Sequence, residues 1–162
     1  MNAEPQVMHH LQAPLKLLLT HINQTFVHYR MLKHWGLDVL GKAEYKASIK
    51  AMKECDDLME RIFLLDGLPN LQDLGKLRIG EDVPEILECD LALEQELQTT
   101  LKAGVAHCES VHDFVSRELL EALLDEAEER IDFLETQLGL IEQMGLPNYQ
   151  QAQMSEMGES GH

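Results

Sequence analysis

Three charged side chains stand where a helical bundle keeps its apolar seam: Glu54, Glu94 and Arg130. Each falls at heptad spacing among aliphatic neighbours, about midway along a helical stretch, so the three should meet at one level of a core. An unpaired buried charge is strongly destabilising, so Arg130 is expected to pair with Glu94, Glu54 or both. The alternative chemistry is metal binding. An inward Glu-x-x-His on each of two helices, plus one Glu from each of two more, makes a di-metal carboxylate site. Here the corresponding tetrads are Ala51-Met52-Lys53-Glu54 and Ala127-Glu128-Glu129-Arg130, and neither has that form. Glu94 and Glu54 remain as weak candidate ligands, with a guanidinium, which cannot bind metal, between them. The histidines His9, His10, His21, His28, His34, His107 and His112 show no paired ligand spacing, and surface or structural roles are expected for them.

The helices that must carry these groups are marked by periodicity and stop signals. The first should run from about Gln6 to Trp35, with Pro14 disturbing its first turns and Gly36 ending it. Asp38 should cap a second helix reaching about Leu65. The following Gly-, Pro- and Asn-rich stretch is too long for a tight turn and reads as a crossover along the bundle. Asp82, followed by Val83-Pro84, should open a third helix. Asp113 should separate it from a fourth that ends at Gly145-Leu146-Pro147. A short fifth helix is expected around residues 148–157. The seams are Leu11, Leu15, Leu18, Ile22, Thr25, Tyr29 and Leu32; Leu40, Ala47, Ala51, Glu54, Leu58 and Leu65; Leu87, Glu94, Leu97, Leu101, Val105 and Cys108; and Leu120, Leu123, Ala127, Arg130, Leu134 and Ile141. The fold class is therefore all-α, a four-helix bundle in one domain over residues 1–157, with 158–162 as a flexible tail.

Composition agrees: 162 residues, 44% hydrophobic and 26% charged, are enough for one soluble domain with a real core. A formal net charge of −16 repels phosphate backbones, so neither nucleic acid nor anionic membrane is an expected partner, whereas cations are attracted. Cys55, Cys89 and Cys108 form no CxxC pair and suit free thiols. No signal peptide pattern opens the chain and no apolar run approaches a membrane span, so a cytoplasmic location is expected.

Two helices carry a second apolar stripe off the seam. On the second helix it comprises Tyr45, Ile49, Met52 and Met59; on the first, Leu19, Asn23 and Phe26. A helix that is apolar on two faces packs against a second partner, so this surface is expected to be a dimer contact.

The segments HINQTFVHYRMLKHWGL, EYKASIKAMKECDDLMERIFLLDGLPNLQDLGKLRIGEDVPEILECDLALEQE and RIDFLETQLGLIEQMGLPNYQQAQM together resemble bacterioferritin, from about Pro5 to Met154. LPNLQDLGKLRIGEDV is far more specific than a generic bundle match. The resemblance implies a ferritin-like fold and a hollow shell of two dozen (24) subunits storing iron as a mineral. It also implies haem b at each twofold interface, ligated by Met52 from both subunits, with the second stripe around it. A small ferredoxin docks over the haem in that family, and Leu68, Glu81 and Glu85 match positions of plausible contact.

The departures are equally specific. Active members of the family place Glu where this chain has Leu18, Ala51 and Ala127, and His where it has Glu54 and Arg130; only Glu94 matches. Thr25 stands for a tyrosine beside that centre, and Lys46 and Lys50 stand for iron-binding His and Asp on the cavity side. No intact ferroxidase centre is expected. The resemblance then implies a haem-bearing subunit that co-assembles with a ferroxidase-active sibling and passes electrons to stored iron. Two alternatives stay open: a ferroxidase rearranged around Glu54, Glu94 and a nearby histidine, and a haem protein without mineral storage.

Overall fold

The computed structural model describes residues 1–72 and 74–154. Five helices make up its regular structure: α1 (Pro5–His34), α2 (Asp38–Leu64), α3 (Val83–Ser110), α4 (Phe114–Met144) and α5 (Leu146–Ala152). α1 packs chiefly on α2, α3 on α4, and α1 also on α3, as a four-helix bundle requires.

Short connections join the paired helices. Gly36, at φ +81°, supplies the left-handed residue that ends α1. Asp113 caps α4 by accepting from Ser116 N at 3.0 Å, and Arg61 of α2 clamps the same carboxylate at 3.0 Å. Asp82 caps α3 by accepting from Glu85 N at 2.9 Å. Three expectations need correction. α1 runs unbroken through Pro14; tertiary packing of both flanks outweighs the one lost hydrogen bond. Asp38 is the first helical residue rather than the cap, which is Leu37 without a side-chain bond; there it still lies in the first turn, where a negative charge suits the helix dipole. α5 begins two residues early, because Pro147 fits its first turn, and it ends at Ala152; residues 155–162, including both sides of the expected boundary between domain and tail, lie outside the described residues.

The crossover between α2 and α3 lies along α1, which hydrogen-bonds its backbone at intervals. Gln12 Nε2 donates to Leu68 O at 2.8 Å, and Gln12 Oε1 accepts from Asn70 N at 2.9 Å. Further along, Thr20 Oγ1 accepts from Gly75 N (3.0 Å), Gln24 Oε1 from Arg78 N (3.1 Å) and His28 Nε2 from Gly80 N (3.0 Å). The approach is close: a Cβ on Gly75 would sit 2.5 Å from Thr20 Oγ1.

Two apolar clusters fill the bundle. One gathers Val7, Leu11, Leu15, Leu18, Leu58, Leu97, Leu101 and Leu120; the other gathers Leu32, Leu40, Ile86, Leu87, Leu134 and Tyr149. Tyr149 ties α5 to the second cluster, its hydroxyl bonded to Gln137 at 2.7 Å. Between the clusters the interior is polar, with His21, Gln24, Thr25, His28, Glu44, Ser48, Glu54, Asp90 and Glu94 all buried.

Candidate functional site

All four long helices meet at the level set by the seam charges. Arg130 of α4 donates through Nε to Glu94 Oε1 at 2.7 Å and through Nη1 to Glu54 Oε1 at 2.8 Å, with Nη2 3.4 Å from Glu54 Oε2. His21 of α1 brings its Nε2 against the same Glu94 oxygen. Leu18, Ala51 and Ala127 are fully buried around this cluster and offer no ligand atom. Thr25 turns its hydroxyl to the His21 carbonyl at 2.7 Å.

The charges are uneven. Burial raises the Glu54 carboxyl, and the pull of Arg130 offsets this only in part, leaving it above its ordinary range. Burial also opposes ionisation of Glu94, but His21 and Arg130 together outweigh it and hold that carboxyl below its ordinary range. Burial works against the Arg130 cation, yet Glu94 and Glu54 hold its proton more firmly than usual. This is an ion triad in which two carboxylates share one guanidinium. Its donor set does not fit a di-metal centre: both Glu54 oxygens and one of Glu94 face the guanidinium, and the remaining positions are aliphatic.

A second buried cluster lies one turn along α3. Asp90 Oδ1 accepts from Gln24 Nε2 and from His28 Nδ1, both at 2.9 Å. Because His28 Nε2 accepts from Gly80 N, the ring carries its proton on Nδ1 and is engaged at both nitrogens. Glu44 of α2 stands close by; Glu44, Asp90 and His28 each present a ligand atom within 4.8 Å of the others. Burial, then the Asp90 charge, raises the Glu44 carboxyl well above its usual range. For Asp90 burial acts in the same direction, but Glu44, His28 and Gln24 outweigh it and hold Asp90 low.

The two clusters share one cavity of about 340 Å³, lined by His21, Glu44, Asp90, Glu94 and Arg130 among others. Lys46 and Lys50, both exposed, also line it, and Lys50 Nζ lies 3.5 Å from Glu126.

The second stripe lies mostly on the outside. Met52 is 52% exposed, Phe26 46% and Tyr45 43%. Asn23 is exposed and Ile49 half-buried, whereas Leu19 and Met59 pack against the bundle core and form the inner edge of the stripe. The Tyr29 ring joins the stripe, 5.0 Å from Tyr45 and 5.8 Å from Phe26. An exposed thioether among apolar and aromatic side chains is a donor set that fits haem iron. Leu68, Glu81 and Glu85 are exposed at opposite ends of the crossover. Its ends are held by Gln12 and His28, sixteen residues or roughly 24 Å apart along α1.

The seam pattern identifies Glu54, Glu94 and Arg130 but misses His21, Gln24, His28, Glu44 and Asp90. His21, Gln24 and His28 flank the seam of α1, where polar residues usually reach water, whereas Glu44 and Asp90 fall on their seams, seven residues before Ala51 and Leu97. The signal that could have found part of the set is the four-residue spacing of Thr20, Gln24 and His28, with Gln12 two such steps before them, on one face of α1.

Residues 8–144 match the model of the ferritin-like domain. The chain is 40% identical over 160 residues to the bacterioferritin of Brucella melitensis, covering 99% of each. It is 41% identical over 145 residues to that of Mycobacterium leprae, covering 90% of this chain and 91% of the relative. It is 40% identical over 145 residues to that of Rhodobacter capsulatus, covering 90% of each.

Proposed function

The chain belongs to the bacterioferritin family, and from that premise we propose that it is an iron-storage shell subunit that carries haem at a dimer interface and leaves iron oxidation to a sibling subunit. The observation that carries this reading is the Arg130–Glu54–Glu94 ion triad, where active members of the family would hold two iron ions. A rearranged ferroxidase built on Glu54, Glu94 and His21 would require Arg130 to leave, stranding two buried carboxylates.

On this reading Met52 meets its symmetry mate across a twofold contact, with Phe26, Tyr45 and Ile49 excluding water around it. When bound there, haem supplies one-electron transfer between an external donor and the stored ferric iron. Leu68, Glu81 and Glu85 would offer an apolar and an acidic contact to a small ferredoxin. The acidic balance of the chain would draw Fe(II), as cargo, towards the shell.

Stopped-flow mixing of anaerobic Fe(II) with the pure protein and oxygen tests the reading directly. Oxidation should proceed no faster than in a ligand-free control shell, and a fast phase saturating at about two irons per subunit would overturn it. Met52→Leu should abolish the haem absorption of the wild type, and an unchanged spectrum would remove Met52 as the ligand. Native mass analysis of the shell from its source should find two subunit types.

A further inference from the structure

We propose that Glu44 and Asp90 form a binding site for a single hard divalent cation on the wall of the interior cavity, one turn along α3 from Glu94. The orientation of Asp90 carries the inference. Gln24 and His28 both donate to Oδ1 of this residue, 3% exposed, while Oδ2 has no donor unless the neighbouring Glu44 carboxyl holds a proton to share with Asp90. A buried carboxylate oxygen left without a donor is costly, and a cation or its bound water satisfies it. Glu44, 5% exposed, faces it from α2 across the cavity. Glu94 Oε2, likewise buried without a partner, lines the same space.

His28 is a positioning residue here rather than a ligand, because neither ring nitrogen is free. Gly80 fixes its tautomer, and the tautomer fixes which Asp90 oxygen is used up. A site of carboxylate oxygens and water selects Mg²⁺, Mn²⁺, Ca²⁺ or Fe²⁺ over softer ions. The cavity of about 340 Å³ has room for several waters to complete the coordination shell, at roughly 30 Å³ each. Of the neighbouring positive charges, Arg130 is committed to Glu54 and Glu94 and Lys50 to Glu126, and Lys46 is exposed to water. The site uses none of the positions of a di-iron centre except the spare oxygen of Glu94, and it stands independently of the shell and haem reading.

Titration of the purified full-length protein with Mn²⁺, counting free ion by electron paramagnetic resonance, is the test. Wild type should bind one Mn²⁺ per subunit more tightly than the diffuse surface background. Glu44→Gln and Asp90→Asn should each remove that class, His28→Gln should weaken it roughly 10–100-fold, and the exposed control Glu121→Gln should leave it intact. Glu44→Asp keeps a carboxylate should Glu44→Gln fail to fold, and it should bind with the same stoichiometry and lower affinity. Only weak, unsaturable uptake by wild type would overturn the proposal, leaving a proton shared between the two carboxyls. A tight site unmoved by the Glu44 and Asp90 variants would overturn it too.

Discussion

The two buried polar clusters of this bundle lie one turn apart and solve the same problem differently. Around Arg130 the excess negative charge of Glu54 and Glu94 is met by a fixed cation that no ordinary pH removes. Around Asp90 the excess is met by neutral donors and by a Glu44 carboxyl that burial drives towards its protonated form. The first arrangement is closed: its charge is internal and its geometry leaves no place for two metal ions. The second is open, because the proton of Glu44 is exchangeable and one Asp90 oxygen has no other donor. One arginine among aliphatic residues therefore closes one level of the interior without touching its neighbour.

The sharpest way to break this contrast is Arg130→Leu. Two buried carboxylates would lose their shared partner, and stability should fall by about 3–5 kcal/mol, read from chemical denaturation against wild type. A loss within error of zero would mean that the triad is solvated.

Glu44→Gln should have a smaller effect that depends on pH. The folded state raises the Glu44 pKa, so this carboxyl contributes stability in full below its unfolded value, and that contribution is lost as pH rises towards the folded value. The variant should therefore gain on wild type in midpoint denaturant concentration between pH 5 and pH 7.5. Glu94, lowered by folding, acts with the opposite sign: its contribution is present above the unfolded value and lost as pH falls through the folded one. A flat difference between Glu44→Gln and wild type across that range would remove the open character of the second cluster.

Least of all should follow from Lys50→Ala at the exposed side of the cavity. Its ion pair with Glu126 at 3.5 Å is half-exposed, and removal should change stability by no more than about 1 kcal/mol in the same denaturation series. A larger loss would place the rim, and not only the interior, among the groups that hold the bundle together.

The fold was largely legible because its signals are local: heptad seams, Asp82 and Asp113 as caps, Gly36 and Gly145 as stops. The Arg130 triad was legible for a related reason, since a charge at a seam position contradicts its register and must be answered by another. Asp90 and Glu44 also stand at seam positions, seven residues before Leu97 and Ala51, but no cation on the facing seams answers them. Gln24 and His28, the groups that answer Asp90, flank the seam of α1, and their burial comes from what covers them. The crossover seals Gln24 and His28 on α1, and α5 brings Tyr149 near Glu44. Neither covering is written into the periodicity of α2 or α3. Pro14 misleads in the opposite direction, a local breaker overruled by packing along the whole of α1.

The hydrogen bonds between α1 and the crossover bear on what lengths of chain this protein tolerates. Ordinary surface loops accept insertions readily, at about 0.6 kcal/mol for each doubling of length. Here the acceptors stand on a rigid helix at Gln12, Thr20, Gln24 and His28, and the amides of Asn70, Gly75, Arg78 and Gly80 meet them in step. One extra residue between Asn70 and Gly75 would shift every later amide out of phase, and the last displaced would be the one that sets the tautomer of His28. The crossover has the sequence of a loop and the indel tolerance of a strand.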